Sequence, residues 1–96
     1  MPTPSDFGIQ SPTYTSSIAA SVAVKSAPGR LRGIFVTAAA STPTIKLWDN
    51  TSGATTVLIN TFTPVAATYY QFGDVFFGTG LYITISGTVD CTVFYF

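Results

Sequence analysis

From residue 18 onward the apolar side chains recur at every second position, and at no point does helical spacing account for them better. Leu81, Ile83 and Ile85 alternate with Tyr82, Thr84 and Ser86, and Val89, Cys91, Val93 and Tyr95 alternate with Asp90, Thr92, Phe94 and Phe96. A period of two is the signature of a strand with one buried face. Sixteen threonines among 96 residues reinforce it, because β-branched side chains suit a pleated surface. Helical bundles and α/β architectures are thereby excluded.

Turn residues divide this pattern into short pieces. Strands are predicted over about 18–25, 30–39, 44–49, 55–62, 68–72 and 75–77. A final hairpin of 81–85 and 89–96 turns at Ser86-Gly87-Thr88. Ala38 to Pro43 reads as a break, and Asn50 to Ala54 as a hairpin loop. Leu31, Gly33 and Phe35 are assigned to one face of their strand, and Arg32, Ile34 and Val36 to the other. Seven or eight short strands without helices predict an all-β fold, a small β-sandwich of jelly-roll or Greek-key topology. Residues 1–17 differ. They hold three of the six prolines and no sustained alternation, which excludes a helix or a central strand. They read as an extended N-terminal arm, with 18–96 as the β-sandwich domain. Phe7, Ile9 and Tyr14 are the arm's apolar anchors, the residues expected to lie on a partner.

Only eight residues are charged, four of each sign, where about a quarter of an average chain is. No basic cluster is present to neutralise a phosphate backbone, so nucleic acid is not an expected partner. No apolar run approaches the length of a membrane helix. Histidine and glutamate are both absent. The commonest general base is therefore missing, and an enzyme is not expected. Cys91 and four scattered aspartates do not fall at metal-ligand spacing, so neither a zinc site nor any cofactor is expected. A carbonyl-rich calcium site at Asp49, Asn50 or Asp74 stays open as an alternative. Cys91, within an apolar alternation, reads as a small buried hydrophobe. The first residues lack the basic and apolar regions of a signal peptide, which points to synthesis in a cytoplasm.

Eight charges cannot cover a domain surface, although 25 serines and threonines fill part of the gap. Phe94 and Phe96 fall opposite the presumed core face at the chain end. Trp48, next to the core positions Ile45 and Leu47, also points away from the core. These three are the expected self-association or partner surface. One ring of the Tyr69-Tyr70 pair is expected in the core. Arg30 and Arg32 share a face as the one local basic pair. Asn50-Thr51-Ser52 matches a glycosylation sequon but lies in a Ser/Thr-rich loop.

Several segments together carry a resemblance. They are Leu31-Arg-Gly-Ile-Phe-Val36, Thr44-Ile-Lys-Leu-Trp-Asp-Asn50, Val57-Leu-Ile-Asn-Thr-Phe62, Gly80-Leu-Tyr-Ile-Thr-Ile85 and Gly87-Thr-Val-Asp-Cys-Thr-Val-Phe-Tyr95. About two-thirds of the chain resembles small structural proteins of tailed bacteriophages, of the capsid decoration or cement type. The resemblance implies a non-enzymatic virion protein on the outer surface of the capsid, made in the host bacterial cytoplasm. It further implies oligomerisation, with a homotrimer preferred over a homodimer, and the major capsid protein of the same virion as partner. A receptor- or glycan-binding β-module of a fibre or tail is the alternative.

Overall fold

The computed structural model describes residues 11–53 and 55–96. These form six strands and no helix: β1 (Thr13–Ile18), β2 (Val22–Lys25), β3 (Gly29–Trp48), β4 (Val57–Phe62), β5 (Thr68–Phe77) and β6 (Leu81–Tyr95). All belong to one antiparallel sheet with β3 and β6 paired at its centre. The chain is all-β, as the alternation predicts, but its strands are fewer and longer. The expected break at 38–43 and the expected hairpin turn at 86–88 both lie within continuous strands. Phe7 and Ile9 lie outside the described residues. Tyr14 does not: β1 crosses the boundary drawn at residue 17 and pairs with Val93, Phe94 and Tyr95 of β6.

Both misread segments sit at one corner. The ladder jumps from Ala40↔Thr88 to Thr44↔Ser86, so β3 loops out two more residues than β6. Ser41 and Thr42 take positive φ (59° and 57°), and Pro43 falls where no ladder bond is needed. Opposite them Gly87 has φ 75°. A side-chain carbon there would lie 2.6 Å from the Ser41 carbonyl oxygen and 2.9 Å from the Pro43 Cα. Gly87 thus bends β6 and lets the β3 bulge close upon it. Its left-handed conformation made it resemble a hairpin turn, yet the chain continues forward.

The bend is large. Gly29 pairs with Phe77 and Trp48 with Tyr82, so the two ends of β3 are tied to residues five apart in the chain. Five residues span at most about 18 Å, whereas a straight 20-residue strand would run roughly 65 Å. The longest dimension of the molecule is 48 Å. Beyond the corner β3 must therefore double back, and β6 with it. Two four-stranded halves result. In the first, β1, the C-terminal part of β6, the N-terminal part of β3 and β5 lie in that order. In the second the order is β2, the N-terminal part of β6, the C-terminal part of β3 and β4. Ser21 spans the corner between β1 and β2, its Oγ accepting from the Ile85 N–H at 2.9 Å.

One apolar cluster serves both halves. Leu31, Ile34, Val36, Cys91 and Val93 of the first and Ile45, Leu47, Leu81 and Ile83 of the second have no exposed surface. An open single-layer sheet would leave such residues wet on one side. The total accessible surface, 5212 Å², is close to the roughly 5,300 Å² expected of a compact domain of this mass. Asp49 fastens the end of β3 to the loop entering β6. Its carboxylate accepts N–H bonds from Gly78 (2.9 Å), Thr79 (2.8 Å) and Gly80 (3.4 Å).

Gly87→Ala adds an unfavourable φ to a backbone collision and is expected to cost about 2–4 kcal/mol. Gly73 has similar φ (68°), but open space surrounds the position of its missing side chain, so Gly73→Ala should cost only about 1 kcal/mol. Urea denaturation of both variants measures the difference, which isolates the close approach at the corner.

Candidate functional site

Register breaks decide which side chains leave the core in the first half. Between Leu31 and Gly33 β3 carries one residue more than β6, and opposite the same point β5 bulges through Gly73 and Asp74, both at positive φ. A one-residue slip reverses the side chains beyond it. Leu31 is buried, but two positions later Gly33 begins a new phase in which Ile34 and Val36 are buried and Phe35 faces out. The expected grouping of Leu31 with Phe35 is corrected accordingly. Arg32, at the bulge, donates from Nε and Nη2 to the two carboxylate oxygens of Asp74, and this bidentate pair holds the two bulges together.

The result is an aromatic outer face. Tyr14 from β1, Phe35 from β3 and Tyr69 from β5 are 65%, 38% and 44% exposed. The Phe94 ring of β6 lies among them, 6.5 Å from Tyr14 and 6.0 Å from Tyr69 between ring centres. Pro12, Arg32, Phe35, Tyr69 and Phe94 line one open groove of about 260 Å³. At the end of this face the Phe96 ring is held by two guanidinium groups, Arg30 at 4.7 Å and Arg32 at 4.9 Å. Lys25 Nζ donates to the Phe96 carbonyl at 2.9 Å. Phe76, paired with Arg30, is 66% exposed beside them.

Of the residues singled out in the sequence, Tyr14, Phe94 and Phe96 come together here. Trp48 does not. It lies at the end of β3 in the second half, with Nε1–H donating to Thr84 Oγ1 at 2.8 Å and Lys46 Nζ 4.4 Å from its ring. Phe35 and Tyr69 were missed as site residues. The Gly73-Asp74 pair was the one signal for the first, since two turn-forming residues inside an apolar strand indicate a bulge. Tyr70 is the inward member of the tyrosine pair. It packs on Phe62 at 5.0 Å while its hydroxyl accepts from the Val65 N–H.

Among the described residues the one thiol is buried. Burial pushes the Cys91 thiol up to about 11, and the Asp90 carboxylate adds to the shift, so the sulfur stays protonated and inert. No cluster of three or more potential metal ligands occurs among the described residues. Comparison of the chain with protein-family models, curated proteins and solved structures finds no match in any of the three.

Two carboxylates link this architecture to pH. Burial pushes Asp49 up, but its three backbone N–H donors outweigh that and hold it below the ordinary carboxylate range. The Arg32 hydrogen bond, opposed by desolvation, holds Asp74 low as well. A depressed folded pKa contributes stability above the unfolded value, near 4, that is lost as pH falls through the folded one. Stability is therefore expected to decline below about pH 5. Asp49→Asn should be less stable at neutral pH and show a shallower acid limb in denaturation curves recorded from pH 7 to pH 2.

Proposed function

We propose that the chain is a non-enzymatic structural protein that assembles with copies of itself through the aromatic face. Its setting would be the one the resemblance implies: decoration of the outer surface of a tailed-phage head, docked on the major capsid protein. The observation that carries the association reading is the contiguous set of outward rings Tyr14, Phe35, Tyr69 and Phe94 on a chain with eight charges. Exposed rings of this kind are typical of contact surfaces. Edge pairing is the rival route of association, and the edges do not favour it. In β1, β2, β4 and β5 the extra residue at each register break lies in the edge strand. Such bulges discourage strand addition.

The finer architecture belongs to the same reading. Divided at the corner, β3 and β6 turn six strands into eight segments. Their pairing order is first, eighth, third, sixth in one half and second, seventh, fourth, fifth in the other. That is the order of a jelly-roll sandwich, an architecture used by viral capsid and lectin domains. Fold analogy alone does not assign function, but it agrees with a virion role. The segment before β1, with Phe7 and Ile9, would be the arm that reaches the shell.

A specific observation favours a second reading, the glycan-binding module. The groove between Phe35, Tyr69 and Phe94 places ring faces beside the Arg32–Asp74 pair, a combination suited to stacking on a sugar and bonding its hydroxyls.

Quantitative composition of purified heads tests the setting. A copy number comparable to the major shell protein is expected of a cement protein, and a few copies per particle would assign it to a fibre or tail. Deleting residues 1–10 leaves in place every strand of the described residues. The truncated protein should fold and self-associate normally, yet occupy heads at least about tenfold less at equal concentration, one lost anchor of roughly 1.4 kcal/mol. Undiminished occupancy would remove the arm from the mechanism.

A further inference from the structure

A close approach shapes the groove between Phe35, Tyr69 and Phe94. Gly33 shares the outward parity of Phe35, yet it is buried while Phe35 is exposed. A side-chain carbon at Gly33 would lie 2.5 Å from the Tyr69 Cζ and 2.7 Å from the Tyr70 carbonyl oxygen. The end of the Tyr69 ring therefore lies across Gly33 instead of standing out into solvent. In that position the residue is still 44% exposed. The Phe94 ring meets it at an interplanar angle of 70°, with 6.0 Å between centres. Tyr69 is thus the floor of the groove and Phe94 one of its walls. Arg32 completes the lining, and its Nε and Nη2 donate to the two oxygens of Asp74. The two side chains are 32% and 35% exposed. Among the described residues no hydrogen bond engages Nη1 of Arg32.

The face of an aromatic ring is its electron-rich side, and the polarised C–H groups on one side of a pyranose are suited to it. Beside that ring, Nη1 of Arg32 donates and the remaining lone pairs of Asp74 accept. Neighbouring sugar hydroxyls, each both donor and acceptor, match such a set. A wholly apolar ligand would cover these polar groups without bonding them, which is costly. Asp74 already neutralises Arg32, so a carboxylated or phosphorylated ligand would meet a carboxylate of its own sign. The groove holds about 260 Å³, just below the roughly 300–1,000 Å³ of sites for drug-sized ligands. That is room for one sugar ring. We infer that this groove binds a single neutral pyranose unit of a glycan, stacked on Tyr69 and hydrogen-bonded to Arg32 and Asp74. The inference rests on the glycan-binding reading, which competes with self-association for these rings. It adds the charge of the ligand, the number of sugar rings held and the residue on which the sugar stacks.

Saturation-transfer NMR of the full chain at low micromolar concentration tests this, beside an array of neutral oligosaccharides. The probes are methyl β-glucoside, methyl β-galactoside and methyl α-mannoside. At least one should bind saturably, with a dissociation constant on the order of 1 mM. Its counterpart oxidised to a carboxylate at C6 should bind about tenfold or more weakly. Tyr69→Ala should raise the dissociation constant about tenfold or more, whereas Tyr69→Phe, which keeps the ring, should stay within about threefold. Tyr69 is exposed, so both variants should fold, and thermal melting verifies it. Saturable binding of a neutral sugar that Tyr69→Ala leaves unchanged would overturn the groove while leaving the glycan reading standing. Tighter binding of the carboxylated counterpart would overturn the neutral ligand, and binding on the array without binding of any glycoside would overturn the single ring. Silence of the glycosides and of the array together would overturn both the inference and the reading beneath it.

Discussion

Pairing between β3 and β6 is the constraint on which the other contacts depend. These two strands run together through both halves of the molecule, and the remaining four strands attach only to one or the other of them. Where the pair bends, the two halves turn toward a common core. The bend depends on unequal lengths: the stretch of β3 from Leu31 to Trp48 faces a stretch of β6 that is four residues shorter. Those four residues enter as bulges at Arg32, at Thr37 and at Ser41-Thr42. Gly87 is where the shorter strand must yield its side chain so that the longer one can pass close by. A double-length antiparallel pair has high contact order, and its ends meet only after long loops close, so slow folding follows from the topology.

The same bulges write the outer surface. At the corner a bulge bends the sheet. At Arg32 it reverses the phase, sending Phe35 outward and bringing Ile34 into the core. At Gly73-Asp74 it presents a carboxylate to the arginine that the first bulge displaced. The Arg32–Asp74 pair is half-exposed, and exposed pairs contribute little stability on their own. Its effect is positional: it holds two irregular strands in one register beside the aromatic groove. Architecture and surface therefore have a common origin in where extra residues are inserted.

Strand character, core composition and the aromatic chain end were legible in the sequence, because each depends on local periodicity. The alternations 81–85 and 89–93 place the buried residues correctly. Continuity was not legible. Gly87 at positive φ has the same residue identity whether the chain turns back or bends forward, and only its neighbour across the sheet, the Ser41 carbonyl, distinguishes the two. Ala38 to Pro43 failed for a related reason, since small residues and a proline are as suitable for a bulged corner as for a loop. Phe35 was misassigned because alternation read along one strand cannot reveal an extra residue relative to the next. Trp48 and Phe94 were grouped by outward parity, but parity gives the side of a sheet, and a sheet folded at a corner has different surroundings in each half.

Charge scarcity takes its meaning from this geometry. Asp49 is committed to three backbone N–H groups and Asp74 to Arg32. Lys25 is committed to the Phe96 carbonyl and Lys46 to the Trp48 ring. Each of these charges fixes an element of the protomer at a strand end or a bulge. On the outer face of the first half the rings of Tyr14, Phe35, Tyr69 and Phe94 stand together, and the charge beside them, the Arg32–Asp74 pair, is spent on holding two bulged strands in register. Charge in the described residues thus goes largely to fixing strand ends and bulges, and the sheet surface between them is left to hydroxyl and aromatic side chains.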